Sequence, residues 1–221
     1  MNGPLCNQAH RRDPGTAGKV ARSEPQHLEH NVTSTHLSHT TPTRSTLSRA
    51  VVIGAGAGAV ASLAMAMYAM LAAWSKDTGF FTPLYHIASL FISQDAMMAS
   101  MKSAMAGSAF HVELGPAVLG AMIHMMTGAM YGAMFAVVVA RLALGRSAIV
   151  GLGLLYGAMV FAVSSWIGLP IAASVFGSGD QITHMARMAG WGTFVIEHLV
   201  FGLALGMLLA LRLVPATGDR R

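Results

Sequence analysis

The sequence has little of the charge that a water-soluble protein needs. Only 10% of its residues are charged, whereas 54% are hydrophobic. Soluble domains carry roughly a quarter charged residues, because their surface must face water. So few charged side chains cannot cover a water-exposed surface of a chain this long. The composition therefore predicts a protein that contacts the lipid bilayer as part of its solvent.

Cysteine is almost absent, and so are the motifs of common enzymes. Cys6 is the only cysteine, which excludes an intramolecular disulfide. There is no P-loop, no G-x-S-x-G elbow, no H-E-x-x-H and no paired cysteine motif. The glycine-rich segment 54–58 opens an apolar run with no strand before it, which excludes a dinucleotide-binding fold. We therefore expect a non-enzymatic protein.

The first 49 residues lack aliphatic periodicity and are rich in Ser, Thr, Pro, His and Arg. Such a segment cannot bury enough apolar surface to offset its ordering entropy, so residues 1–49 are predicted to be a disordered tail. Six of the fourteen basic residues lie here, but without the interleaved aromatic side chains typical of nucleic-acid binding, so no nucleic-acid partner is expected. Its histidines suggest either a metal-binding tail or an unstructured extension, and we favour the extension. These histidines are His10, His27, His30, His36 and His39.

Four apolar runs then follow, at residues 51–74, 116–140, 148–173 and 191–211. At about 1.5 Å per helical residue, each reaches at least about 30 Å, which is enough to cross the hydrocarbon core. The predicted fold is therefore all-α, with a polytopic four-helix membrane domain over residues 50–213. A short tail, residues 214–221, follows this domain.

Positive charge is distributed unevenly between the connections. The two tails and the 141–147 loop carry most of it, and the other two connections carry little. Because cytoplasmic loops are enriched in Lys and Arg, we expect both termini to be cytoplasmic. The expected location is the inner (plasma) membrane, which the chain crosses several times. The basic residues of the loop and the C-terminal region are Arg141, Arg146, Arg212, Arg220 and Arg221.

The connection between the first two spans has a pattern of its own. Thr82 and Pro83 are typical of a helix start. Apolar side chains then recur at helical spacing, which predicts an amphipathic segment over residues 83–106, formed by one or two helices. The segment is expected either at the outer membrane interface or as a cap packed on the bundle. The apolar residues are Leu84, Ile87, Phe91, Met98, Met101 and Met105.

A pattern H-x3-G-x3-G occurs in both the second and the fourth span. Small residues four apart let the backbone of another helix approach closely, so they are predicted to pack helices. The repetition suggests duplication of a two-helix unit, and the glycine stripes also allow a homo-oligomer. The predicted packing residues are Gly120, Gly128, Gly132, Gly202 and Gly206.

The polar residues His124, His198 and Glu197 form the candidate site. Glu197 is the only acidic residue inside an apolar run, and the two histidines are predicted about 10–12 Å inside the same side of the membrane. Such residues usually face a bundle interior or a cavity. The favoured interpretation is a structural polar cluster or small-ligand pocket without a cofactor.

Three alternatives for this cluster remain open. A metal site for Cu or Zn would use both histidines with the carboxylate. A haem would use His124 and His198 as axial ligands, with room for the porphyrin beside Gly128 and Gly202. A small transporter or channel would need a polar path across the membrane, and the cytoplasmic halves of the helices offer few polar groups.

The chain from about residue 51 to 213 resembles small bacterial inner-membrane proteins of the YagU-like kind and similar families whose domains have no assigned function. The resemblance implies a four-helix inner-membrane protein, and it implies neither a substrate nor a catalytic residue. It is carried by His124-x3-Gly128-x3-Gly132 with Phe135, by Gly151, Gly157, Pro170 and Phe176-Gly177, and by Glu197-His198-Leu199 with Gly202 and Gly206.

Overall fold

The computed structural model describes residues 44–142 and 144–213. Residues 1–43 of the predicted N-terminal tail, with its five histidines, therefore lie outside the described residues. The predicted tail at 214–221 also lies outside them. In the described part of the chain every regular element is helical. Their bounds are α1 Arg44–Ser75, α2 Thr82–Ala88, α3 Asp95–Met105, α4 Leu114–Leu142, α5 Arg146–Val163, α6 Leu169–Phe176, α7 Asp180–Thr183, α8 Met185–Ala189 and α9 Trp191–Leu213.

Four helical segments are long and apolar enough to cross a membrane: Leu47–Ser75, Leu114–Leu142, Arg146–Phe176 and Trp191–Leu213. The prediction of an all-α bundle with four such helices is confirmed. Each helix extends a few residues past the apolar run that predicted it. The largest extension is at α1, which begins at Arg44, within the segment assigned to the tail.

The third span is interrupted by one π-helical turn, Ser164–Gly168, between α5 and α6. Leu169 donates its N–H to the carbonyl of Ser164, five residues earlier. Pro170 explains the wider turn, because proline has no N–H and its ring collides with the carbonyl four residues before it. The π turn absorbs this conflict without breaking the span.

Glycines bring the spans together in two antiparallel pairs, α1 with α4 and α5 with α9. A Cβ atom on Gly132 would lie 2.6 Å from the Cα of Gly58. A Cβ atom on Gly202 would lie 2.9 Å from the Cα of Gly157. No real Cβ fits at such distances, so these helices touch backbone to backbone. Each of the four glycines in the two H-x3-G-x3-G patterns faces another helix of the same chain.

Helices α1 and α9 occupy the middle of the bundle, because they pack against each other, while α4 packs against α1 and α5 packs against α9. The largest apolar cluster lies where these helices meet, and its members are almost fully buried. It includes Phe135, Ile149, Phe201, Leu205 and Leu209. Arg49, Arg141, Arg146 and Arg212 mark one end of the bundle, named here the arginine end.

The short helices α2, α3, α7 and α8 cover the other end, named here the capped end. The segment predicted over residues 83–106 forms two helices joined by a turn. α2 lies directly on α4, since a Cβ atom on Gly120 would lie 3.2 Å from the Cα of Leu84. Side chains of the predicted apolar face split between the bundle and the surface: Leu84 is buried, whereas Phe91, Met98 and Met105 are exposed. The buried side of α3 is instead formed by Ala96, Met97, Ser100 and Ala104.

Candidate functional site

A cavity of about 370 Å³ lies near the capped end of the bundle. Its walls come from α1, α2, α3, α4, α7, α8 and α9 and from the third span around the π turn. Most of the surface is apolar, with a few polar side chains among methionines, alanines and phenylalanines. The titratable residues that line it are Lys76, His86, His124, Tyr131, Glu197 and His198.

The three residues of the predicted site, His124, His198 and Glu197, all line this cavity. Helix spacing explains the arrangement, since His124 precedes Gly128 by one turn and His198 precedes Gly202 by one turn. The glycine contacts fix the depth and rotation of α4 and α9, and thereby direct both imidazoles toward the same space.

His124 connects α4 to α1 through a hydrogen bond. Its Nε2–H donates to the carbonyl oxygen of Ser62, at 3.0 Å. Because one ring nitrogen donates in this way, the neutral ring keeps a lone pair on Nδ1. No described residue donates a hydrogen bond to that Nδ1.

His198 is held within its own helix. Its Nδ1–H donates to the carbonyl oxygen of Phe194, at 2.7 Å. The ring also lies against the aromatic rings of Phe194 and Phe161, with centroids 4.7 and 5.8 Å away. This bond leaves Nε2 as the unprotonated nitrogen, and in the described part of the chain nothing donates to it.

His86 also lines the cavity, although the predicted site did not include it. Its Nε2–H donates to the carbonyl oxygen of Gln181, at 2.8 Å, and this bond joins α2 to α7. Burial lowers the pKa of His86 below its usual value, and the Gln181 carbonyl opposes that shift only in part. A usable signal existed, since a helix starting at Thr82 places His86 four residues further on the same face.

Glu197 is 6% exposed and lines the cavity. Within residues 44–142 and 144–213, its carboxyl group has neither a hydrogen bond nor an ion pair. Lys76 lies close enough to act on it electrostatically. However, the Lys76 Nζ donates to the Ala189 carbonyl at 2.8 Å and to the Thr193 hydroxyl. A buried carboxyl without a direct partner is costly in a membrane protein and usually marks a functional position.

The π turn contributes a further wall of the cavity. Ser164 and Gly168 line it, and the hydroxyl of Ser165 is buried without a hydrogen-bond partner among the described residues. Single π turns occur frequently at functional sites, because they displace side chains from the regular helical register. Here Trp166 of the turn stacks on Trp191 of α9, the helix that carries Glu197, with ring centroids 6.0 Å apart.

The geometry bears on metal and haem binding in two ways. In the described residues, no group of three His, Cys, Asp or Glu side chains is placed to hold a metal ion. The space expected for a porphyrin beside Gly128 and Gly202 is filled by α1 and α5, since a Cβ atom on Gly128 would lie 2.5 Å from the Cβ of Ser62. Both cofactor hypotheses stay predictions.

The four apolar helices define a multi-pass integral membrane protein, with a cavity between its spans and its capping helices. Comparison of the chain with protein-family models, with curated proteins and with solved structures found no match.

Proposed function

We propose that this protein is a non-enzymatic membrane protein that binds a small, largely apolar molecule in the cavity near its capped end. The observation that carries the proposal is Glu197, a buried carboxyl group that lines the cavity and has no hydrogen-bond partner among the described residues. Ligand pockets typically combine apolar walls with a few polar groups and measure about 300–1,000 Å³. The cavity has both properties.

A purely structural role accounts for only some of the polar residues. His124 and His86 each join two helices through a hydrogen bond to a carbonyl oxygen. Glu197 joins nothing, and His198 bonds only within its own helix. Fastening the bundle therefore explains the first two, whereas a ligand explains why the other two face the cavity.

The proposed location is the bacterial inner membrane, with both termini in the cytoplasm. The arginines at the arginine end support this sidedness, because Lys and Arg are enriched on the cytoplasmic side. The cavity then lies in the outer half of the membrane. The resemblance to YagU-like proteins supports the same location. A homo-oligomer is not part of the proposal, since the glycines of the two H-x3-G-x3-G patterns contact helices of the same chain.

Ligand-dependent thermal stability tests the proposal. The purified protein in mild detergent is heated with a panel of apolar molecules that differ in the charge of their polar group. A molecule that binds only the folded protein raises the free energy of unfolding, by about 2.7 kcal/mol at a hundred times its Kd. We expect at least one member of the panel to raise the Tm of the wild-type protein.

The control is a variant whose cavity is filled. Ala69 is half-buried in α1 and lines the cavity, so Ala69→Phe places a ring inside it. The same ligand should leave the Tm of a folded Ala69→Phe variant unchanged. If no molecule distinguishes the two proteins, the cavity is not a binding site.

One observation favours a second function, the binding of a metal or haem. The Nδ1–H of His198 donates to a carbonyl oxygen, and metal-ligating histidines usually make such a bond with the nitrogen that does not ligate. A visible spectrum and a metal analysis of the purified protein test this candidate. A Soret band or a stoichiometric metal, lost in His198→Ala, would replace the first proposal. A channel has less support, because the described halves of the spans nearest the arginine end contain no Asp, Glu or His.

A further inference from the structure

The cavity is lined by one carboxyl group and three imidazoles with a lone pair each, and its one ammonium, on Lys76, already donates to two oxygens. We infer that its ligand is a hydrophobic organic cation, an amine or quaternary ammonium with an apolar body, and that Glu197 is its counter-ion. The inference rests on the proposed function, since it names the chemical class that the cavity binds. It adds the sign of the charge, which the proposed function leaves open.

Glu197 is the only Asp or Glu within the four candidate spans. No Lys or Arg of the described residues forms an ion pair with it, and the nearest ammonium, on Lys76, already donates to Ala189 and Thr193. Opposite charges attract several times more strongly in the low dielectric of a protein interior than in water. A ligand cation is therefore the partner that compensates this carboxylate.

The histidines add to the acceptor character of the site. His86, His124 and His198 each donate one N–H to a backbone carbonyl, which leaves one lone pair on each neutral ring. An ammonium with N–H groups can donate to these lone pairs. An anionic ligand would instead meet these lone pairs and a carboxylate, and the one cation of the described lining, the Lys76 ammonium, already donates to two oxygens.

The walls favour an organic cation over an inorganic one. Hard metal cations need about six oxygen ligands, and they would find one carboxylate and a few hydroxyls here. An organic cation spreads its charge over apolar groups, which pack on the thioether and aromatic side chains of the walls. Aromatic faces also attract cations directly. The wall residues of these two kinds are Met65, Met97, Met101, Met185, Met188, Tyr131, Phe194 and Phe201.

Tetraphenylphosphonium and tetraphenylborate provide the test, because they share size and shape and differ in the sign of their charge. Binding of each radiolabelled ion to the purified full-length protein in detergent is measured by equilibrium dialysis. We expect the cation to bind the wild-type protein and the anion to bind at least about tenfold more weakly, a difference that corresponds to about 1.4 kcal/mol.

Two carboxyl variants separate the role of Glu197 from the charge of the whole protein. Glu197→Gln keeps the shape of the side chain and removes its charge, and it should weaken binding of the cation by at least about tenfold. Asp180→Asn removes one negative charge from an almost fully exposed side chain at the same end. It should leave binding of the cation unchanged.

The outcomes distinguish failure of the inference from failure of the proposed function. If both ions bind equally, and only Ala69→Phe abolishes their binding, the cavity binds apolar molecules without selecting a cation, and the inference is wrong. The inference is also wrong if the cation binds equally to wild type, Glu197→Gln and Ala69→Phe. It is wrong as well if the cation binds to none of the three proteins. The thermal-stability panel then decides the proposed function on its own.

Discussion

A Cβ atom on Gly132 would lie 2.6 Å from the Cα atom of Gly58, so α4 and α1 meet backbone to backbone. The pair α5 and α9 repeats this contact, because a Cβ atom on Gly153 would lie 2.9 Å from the Cα of Gly206. Both pairs carry a histidine two turns before the second glycine of the pattern. The repeated register supports duplication of a two-helix unit, in which Gly58 corresponds to Gly153.

The first prediction concerns these contacts. Gly132→Ala should lower the free energy of unfolding by about 1–3 kcal/mol, because the added methyl group forces the helices apart. Gly202→Ala should act similarly in the other pair. Thermal unfolding in detergent measures the change. Gly56→Ala and Gly151→Ala are matched controls, since a Cβ at either position meets no other group within 4 Å. Equal effects at all four positions would contradict backbone contact as the cause.

The second prediction concerns the hydrogen bond between His124 and the Ser62 carbonyl. His124→Leu keeps an apolar side chain of moderate size but removes the donor, and it should lower the free energy of unfolding by about 1 kcal/mol. His184→Leu makes the same chemical change at a half-exposed position of the capped end, outside the cavity. Thermal unfolding should show a lower Tm only for the first variant. If the two variants have the same Tm, the hydrogen bond does not contribute to stability.

The third prediction concerns pH and His86. Burial lowers the pKa of His86, so acidification protonates this residue in the unfolded chain before it does so in the folded protein. The unfolded state then binds more protons, and stability falls as the pH decreases below about 6.5. The Tm of wild type should therefore drop between pH 7.5 and pH 5.5, and His86→Gln should reduce that drop. A drop of the same size in His86→Gln would show that other groups cause it.

The fourth prediction separates stability from function at Glu197. Without ligand, the buried carboxyl group has no partner to offset its desolvation. Glu197→Gln should therefore raise the free energy of unfolding, by about 1 kcal/mol, although the same change weakens ligand binding. Asp180→Asn should leave the Tm unchanged, because its side chain is solvated. A lower Tm in Glu197→Gln would mean that Glu197 stabilises the bundle.

The fifth prediction tests the proposed sidedness. Cys6 is the only cysteine, so Cys6→Ser gives a background without thiols. Ser108→Cys then places a thiol at the capped end, and Gly145→Cys places one at the arginine end, where a Cβ meets no other group. In intact cells, a membrane-impermeant maleimide should label the first and not the second. The reverse labelling pattern would invert the topology.

The sequence predicted the number and the approximate bounds of the spans because hydrocarbon thickness dictates the length of an apolar run. It also placed His124 and His198 at similar depth, since depth follows from counting residues along a helix. The sequence could not show that these two residues and Glu197 line one cavity, because that depends on how each helix is rotated about its axis. Contacts between distant glycines fix this rotation, and their pairing becomes visible only in three dimensions.

His86 and Lys76 show a different limit of sequence reasoning. Both lie in the connection at the capped end, where helices are short and apolar periodicity is weak. Their positions depend on hydrogen bonds to residues about one hundred positions away, at Gln181 and Ala189. No local pattern encodes such pairing. The wall of the cavity nearest the capped end, which contains His86 and Lys76, was therefore not predicted.

The π turn at Ser164–Gly168 sets the orientation of the residues that follow it. A helix advances by about 100° per residue, so the extra residue of this turn changes the direction in which all of α6 faces. Leu169 and Ala172 line the cavity in this orientation. Deleting one residue from the turn would restore a regular helix and swing both side chains toward the lipid. The volume open to a ligand is thus governed by the count of residues before Pro170 as much as by their chemical nature.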